Sequence, residues 1–155
     1  MSQILEECPS KSANVFCAPM ARRANLAFMA KVLVIDEDGA IRMMLGAMLK
    51  RAGHESKLYA NGRLALASID QGEAFDLVVT DILMPEMDGI EVITALRSRG
   101  CAPLILAISG ADSRVDLLKA ATNLGAQGAL QKPFTDDVFL GLVEDLLRRY
   151  VAAIT

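Results

Sequence analysis

The chain has 155 residues, which suffices for one domain with a full core but leaves no room for a second folded domain. Hydrophobic residues make up 53% of it and aromatic residues only 5%, so the composition excludes a disordered chain and describes an aliphatic core. A net charge of −3 argues against nucleic-acid binding, and no apolar run approaches the roughly 20 residues that span a bilayer, which argues against membrane insertion.

Residues 1–29 are predicted to be a flexible extension, because Pro9 and Pro19 interrupt helical patterns and no hydrophobic period is sustained. Met29 stands directly before the first predicted strand, so translation that begins there is one alternative. A short helix over residues 21–30 that docks on a partner or on a second copy is another.

From residue 31 onward, apolar runs alternate with segments of helical period. Strands are predicted at 31–35, 57–60, 75–80, 104–108 and 125–130, and helices at 40–52, from the Asn61-Gly62 turn to about 72, and at 90–99, 112–124 and 138–150. The second strand is polar at its start, as in sheet edges, and Thr135 is expected to cap the last helix. Met44 is among the apolar residues at helical spacing in the first helix, and Leu64 is among those on the second. The alternation predicts an α/β fold, a doubly wound five-stranded parallel sheet with five helices.

Cysteine and histidine offer little chemistry in this chain. Cys8, Cys17 and Cys101 form no CxxC pair, and we predict that all three are reduced in a cytoplasmic protein. His54 is the only histidine, which argues against His-rich metal sites and histidine-based triads. The favoured interpretation of His54 is an exposed residue between a helix and a strand.

The residues that carry chemistry directly follow predicted strands. Asp36 and Glu37 follow the first strand, Asp81 the third, Ser109 the fourth and Lys132 the fifth. Because ligands bind outside the carboxyl ends of the strands in such sheets, we expect these residues to form one site. Clustered carboxylates favour a hard cation such as Mg²⁺, and a carboxylate can attack a phosphoryl group whose oxygens a lysine and a hydroxyl stabilise.

Each of these residues also has a simpler explanation. The acidic run 36–38 could be only a capping cluster, Ser109-Gly110 an ordinary turn, and Lys132-Pro133 a surface dipeptide. Their coincidence at neighbouring strand ends, in this order, favours a common site.

Four stretches resemble the receiver domain of two-component response regulators, in particular its stand-alone, chemotaxis-regulator-like type. They are residues 32–38, 108–110, 128–134 and Asp81-Ile82-Leu83-Met84-Pro85-Glu86-Met87-Asp88-Gly89. The resemblance implies a flavodoxin-like receiver fold over residues 30–150, with 151–155 as a tail. It also implies that the Lys132-Pro133 bond is cis.

The resemblance assigns a role to each site residue. Asp81 matches the phosphoacceptor, which takes its phosphoryl group from a sensor histidine kinase or a histidine phosphotransfer protein. Ser109 and Lys132 match the hydroxyl and the lysine that contact that group. The Mg²⁺ ligands are expected to be three carboxylates and one main-chain carbonyl, those of Asp36, Glu37, Asp81 and Leu83.

Two departures from the family pattern bear on signalling. Ala129 stands where the family often has Tyr or Phe coupled to the hydroxyl residue, so the usual aromatic switch is expected to be absent. Leu83 and Ala111 occupy positions that tune loss of the phosphoryl group, and neither can activate a water, which predicts a persistent phospho-form. Only five residues follow Tyr150, so a stand-alone receiver is expected.

The leading hypothesis is a single-domain response regulator of a phosphorelay, with a downstream protein target and no enzymatic activity beyond its own phosphorylation and slow dephosphorylation. The alternative is a phosphorylation-independent adaptor or scaffold with the receiver fold. A small phosphatase fits poorly, because Leu83 stands where a second acid is needed. A flavin mononucleotide binder fits poorly too, because acids follow the first strand in place of a phosphate-cradling loop.

Overall fold

The computed structural model describes residues 29–99, 103–110 and 115–154. The strands are β1 (Lys31–Ile35), β2 (Glu55–Tyr59), β3 (Leu77–Asp81), β4 (Leu104–Ser109) and β5 (Gly128–Gln131). The helices are α1 (Gly39–Arg51), α2 (Gly62–Asp70), α3 (Gly89–Ser98), α4 (Val115–Asn123) and α5 (Asp136–Ile154). Residues 1–28 of the predicted extension, the three cysteines and Ala111 lie outside the described residues.

The five strands form one parallel sheet in the order β2-β1-β3-β4-β5, which confirms the predicted doubly wound α/β fold. Strand β2 lies at an edge, as its polar start predicted. Strands β1, β3 and β4 are almost wholly buried, because helices cover their apolar side chains on both faces of the sheet. One core packs α1 and α5 against the sheet, and a second packs α2, α3 and α4 against the opposite face.

Side-chain caps set where several helices begin. The Asp38 carboxylate accepts from the Ala40 amide at 2.9 Å, and the Asn61 side chain accepts from the Leu64 amide at 3.0 Å. At the last helix the Thr135 hydroxyl oxygen accepts from the Val138 amide at 3.3 Å, which confirms the predicted cap. These caps satisfy amides that have no partner inside their own helix.

Some boundaries differ from those predicted. Strand β2 begins two residues earlier, because its pairing with β1 recruits Glu55 opposite Lys31. Strand β5 begins at Gly128 and not at Gly125, because Gly125 has a φ of +115° that ends helix α4. Helix α5 continues to Ile154, four residues past its predicted end.

The prediction that His54 is exposed was wrong, because its side chain is only 1% exposed. Its Nδ1 accepts a hydrogen bond from the Ala30 amide at 3.1 Å, so its Nε2 carries the proton and donates to the Glu144 carboxylate at 2.6 Å. The ring therefore links the start of β1 to α5. Glu144 lies 90 residues away in sequence, which is why no local pattern signals the contact.

Within the described ranges, no helix combines the length and the apolar character that a membrane span requires.

Candidate functional site

Two buried carboxylates share one lysine at the carboxyl edge of the sheet. The Lys132 ammonium lies 3.0 Å from Oδ2 of Asp36 and 3.3 Å from Oδ2 of Asp81. Asp36 is 2% exposed and Asp81 is 8% exposed. The structure thus brings together three of the residues that the sequence predicted for one site.

Strand register explains why these residues meet. Ile35 of β1 pairs with Thr80 of β3, so the next residue of each chain segment, Asp36 and Asp81, reaches the sheet edge at the same level. The Lys132 amide donates to the Ser109 carbonyl at 2.7 Å, which extends the pairing of β4 and β5 by one step. The ammonium group can therefore reach across the strand ends to both carboxylates.

The electrostatics of this edge favour cations. Burial raises the pKa of Asp81, the negative charge of Asp36 raises it further, and the Lys132 ammonium and the Ile82 amide only partly offset both. Burial lowers the pKa of Lys132, but hydrogen bonds and charge attraction from Asp36 and Asp81 outweigh it, so that pKa is raised overall. The lysine therefore stays charged while one acid remains in excess.

The three residues of the acidic run 36–38 have different roles. Asp36 Oδ1 accepts from the Asp38 amide at 2.9 Å, so both of its oxygens have partners. Asp38 caps α1, as the simpler explanation of this run suggested. The Glu37 side chain is exposed. Among the described residues, no group of three or more acidic, histidine or cysteine side chains lies close enough together to bind a metal ion. Glu37 therefore does not lie beside the two buried acids.

The remaining predicted residues lie around this edge. Ser109 ends β4 and is fully buried, and its hydroxyl donates a long hydrogen bond of 3.5 Å to the Gly110 carbonyl. Leu83 is 51% exposed and offers no polar side-chain atom. Ala129 is exposed on β5. The Lys132-Pro133 bond is cis, as expected.

Gly89 supports the site in a way that sequence reasoning missed. A Cβ atom at this position would lie 2.4 Å from the Asp81 carbonyl oxygen and 2.7 Å from Cα of Ile82, so only glycine lets α3 begin against the backbone of the phosphoacceptor candidate. The Asp88 carboxylate and the Glu91 side chain complete a capping box there. The Asp-Gly pair at a helix start was the available signal.

Arg42 is a second residue that sequence reasoning missed. It lies on α1, and its Nη1 donates to the main-chain carbonyls of Asp36 at 2.7 Å and Glu37 at 2.9 Å. No motif marked it, because an arginine in a helical segment is usually a surface residue.

The donor set at this edge suits a hard divalent cation. Carboxylate oxygens are the ligands that Mg²⁺ prefers, and Asp36 and Asp81 present them from buried positions. Lys132 balances only one of the two charges, and burial together with the negative charge of Asp36 raises the pKa of Asp81. The residues present therefore fit Mg²⁺.

Comparison with known proteins identifies the family. The model for the response regulator receiver domain matches residues 32–144. The chain is 39% identical over 119 residues to the response regulator MprA of Mycolicibacterium vanbaalenii, covering 77% of this chain and 51% of that protein. It is 34% identical over 118 residues to the transcriptional regulatory protein FixJ of Bradyrhizobium diazoefficiens, covering 76% and 57%. The chain thus spans about half the length of these curated relatives.

A solved structure agrees with this assignment. The chemotaxis response regulator CheY4 of Vibrio cholerae matches with a TM-score of 0.68 and 34% identity, over 77% of this chain and 99% of that one. The family match agrees with the doubly wound sheet and with the acids and lysine at its strand ends. The chain therefore belongs to the family of receiver domains of two-component response regulators.

Proposed function

We propose that this protein is a single-domain response regulator that accepts a phosphoryl group on Asp81 from a phosphohistidine in a Mg²⁺-dependent reaction. The observation that carries the proposal is the buried pair of carboxylates, Asp36 and Asp81, bridged by Lys132 at the strand ends of a receiver fold. The proposed donor is a sensor histidine kinase or a histidine phosphotransfer protein. Such donors act in the cytoplasm, so the proposed location is cytoplasmic.

In the proposed reaction a carboxylate oxygen of Asp81 attacks phosphorus. An O–P bond forms, the N–P bond of the phosphohistidine breaks, and the donor imidazole leaves with the electron pair of that bond. The raised pKa of Asp81 makes its carboxylate more basic and thus a better nucleophile than an ordinary aspartate. Lys132, 3.3 Å from the attacking group, contributes positive charge for the phosphoryl oxygens.

The proposed Mg²⁺ ligands are Asp36, Glu37, Asp81 and the main-chain carbonyl of Leu83. Asp36 and Asp81 with the ammonium of Lys132 leave a net charge of −1. The exposed Glu37 side chain would add a third carboxylate when a divalent cation draws it in, and the cation would balance the resulting charge of −2. When bound, Mg²⁺ offsets the charge of the carboxylates and of the phosphoryl oxygens. Asp36 is already held by Lys132 and by the Asp38 amide, so one ligand is ordered before the cation arrives.

The proposed signal is a change of the protein-binding surface near β4, β5 and α4, or onward transfer of the phosphoryl group. Ser109 lies at the end of β4 and is the proposed contact of the phosphoryl group from that side. Ala129 carries only a methyl group on β5, so the surface change is proposed to proceed through the backbone after Ser109. The protein is proposed to catalyse only its own phosphorylation and slow dephosphorylation.

The test is labelling of the full chain by acetyl phosphate with and without Mg²⁺, followed by intact mass. We expect one added phosphoryl group, dependent on Mg²⁺ and lost in Asp81→Asn. Asp137→Asn removes an exposed carboxylate from the first turn of α5 and should be labelled like the wild type. Labelling that persists in Asp81→Asn would overturn the assigned acceptor.

The exposed Ala129 favours one alternative, a phosphorylation-independent adaptor. In that case the wild type would stay unlabelled by acetyl phosphate and by every histidine kinase in a panel, although folded.

The single-domain form of the proposal has support of its own, since the chain aligns with 99% of the Vibrio cholerae CheY4 chain. The intact mass of the protein isolated from its native cells tests it. A mass that accommodates one receiver domain is expected, and a polypeptide long enough to carry a further domain would refute the proposal.

A further inference from the structure

Arg42 ties down the backbone of both acidic residues that follow β1. Its guanidinium lies over the loop from the first turn of α1, and one nitrogen, Nη1, donates to the carbonyls of Asp36 at 2.7 Å and Glu37 at 2.9 Å. Charge-assisted bonds of this length are stronger than neutral ones. The loop is also joined to Arg42 through the main chain, because the Arg42 amide donates to the Asp38 carbonyl at 2.9 Å.

The guanidinium leaves the carboxylates available. In the described part of the chain, Arg42 forms no ion pair within 4.0 Å of a carboxylate, so its contacts with the acidic loop go to main-chain oxygens. Asp36 is fixed separately, by Lys132 at 3.0 Å and by the Asp38 amide at 2.9 Å. Arg42 therefore fixes the direction in which the Asp36 and Glu37 side chains leave the backbone without neutralising either.

The loop needs such a restraint. Glu37 is exposed, and Gly39 is the first residue of α1, where a glycine adds backbone freedom. A guanidinium group presents several donors in a rigid plane, whereas a lysine ammonium is a compact point charge on a flexible stem. Both bonds come from the single nitrogen Nη1, which the rigid guanidinium plane holds between the two carbonyls, whereas the flexible stem of a lysine would hold its ammonium there less firmly.

We infer that Arg42 is a positioning residue that orders the Asp36-Glu37 loop for binding a divalent cation. The inference rests on the proposed function, since the cation is the Mg²⁺ of the proposed reaction. Residues that orient metal ligands through hydrogen bonds contribute about 10- to 100-fold to metal affinity. The consequence is that Arg42 sets the Mg²⁺ concentration at which phosphorylation occurs, while the transfer itself proceeds on Asp81.

The test measures Mg²⁺ binding directly by calorimetry, in Arg42→Gln and Arg42→Lys. Arg42→Gln should weaken Mg²⁺ binding by about tenfold, and Arg42→Lys by a smaller factor. Labelling by acetyl phosphate should reach the wild-type plateau in both variants but require correspondingly more Mg²⁺.

The matched control is Arg63→Gln, because Arg63 is an exposed arginine in the first turn of α2, at the same edge of the sheet. Its Mg²⁺ affinity should equal that of the wild type.

Each outcome decides the inference. Wild-type Mg²⁺ affinity in both Arg42 variants would overturn it, and so would an equal loss in Arg63→Gln, which would assign the effect to net charge. If Arg42 had only a structural role, its substitution would lower the urea midpoint measured without Mg²⁺ and leave the Mg²⁺ affinity unchanged. If Arg42→Gln fails to fold, Arg42→Lys decides the matter. A wild type that binds no Mg²⁺ and takes no label refutes the proposed function together with the inference, whereas a labelled wild type with unaffected Arg42 variants refutes the inference alone.

Discussion

The two edges of the sheet use charged side chains in opposite ways. At the amino edge, Arg97 donates to the Pro103 carbonyl at 3.2 Å and to the Gln127 side chain at 3.0 Å, and Arg99 forms two 3.0 Å bonds with Asp70. At the carboxyl edge, two buried acids compete for Lys132. At the first edge the charged side chains have hydrogen-bond partners in place, neutral ones for Arg97 and a carboxylate for Arg99, whereas the second edge retains an acid in excess.

The difference separates charges that hold the fold from charges that do chemistry. Matched polar contacts stabilise, while like charges held together in a buried site cost stability and persist where function requires them. If this is correct, substitutions at the carboxyl edge should alter phosphorylation most, and substitutions at the amino edge should alter only stability.

The largest expected effect is that of Lys132→Met. Loss of the ammonium removes the positive charge between Asp36 and Asp81, and we expect labelling by acetyl phosphate to slow by about 100-fold. Initial rates at saturating Mg²⁺ measure this change. Lys119→Met, which removes an exposed lysine from α4, is the control and should label at the wild-type rate. A similar labelling rate in both variants would contradict the proposed difference between the edges.

Arg97→Met should show the reverse behaviour. The arginine satisfies two main-chain carbonyls and the Gln127 side chain, so its loss should lower the free energy of unfolding by about 1–3 kcal/mol. Urea denaturation followed by circular dichroism measures the change. Labelling of the folded variant should match that of the wild type, and slower labelling would show that the two edges are coupled.

The pH dependence of stability tests the acid excess. Because the folded-state pKa of Asp81 is raised above its ordinary value, its contribution to stability is fully present below the unfolded pKa and is lost as the pH rises through the folded pKa. Asp81→Asn does not titrate at this position, so in Mg²⁺-free buffer it should be more stable than the wild type at neutral pH. This difference in stability should shrink as the pH falls, and urea midpoints of both proteins across the pH range measure it. A difference that grows on acidification would contradict the raised pKa of Asp81.

The smallest effect is expected for Arg99→Gln. Its pair with Asp70 lies at the protein surface, where Asp70 is half exposed, and such pairs contribute up to about 1 kcal/mol. The urea midpoint should shift less than in Arg97→Met, and high salt should reduce the difference from the wild type. A loss as large as that of Arg97→Met would mean that ion pairs, and not carbonyl contacts, hold this edge.

Local patterns predicted the elements well and the detailed faces less well. The strands that carry Asp36, Asp81 and Ser109 were predictable because their apolar runs end abruptly in polar residues. Helical period alone did not predict that Met44 is 42% exposed and Leu64 53% exposed, because residues near the rim of an apolar face are covered only if a neighbouring element extends that far. His54 was misassigned for the same reason, since its partner lies on α5.

By itself the sequence determined the alternation of strands and helices, and with it the edge at which the acids, the hydroxyl and the lysine would emerge, because hydrophobic period is a local property. Only the tertiary structure decided that Lys132 is shared between Asp36 and Asp81, that Glu37 stays apart from them, and that Arg42 holds the loop. Lys132 lies 96 residues from Asp36 and 51 from Asp81, so its distances to them depend on the order and register of the strands and not on any local pattern.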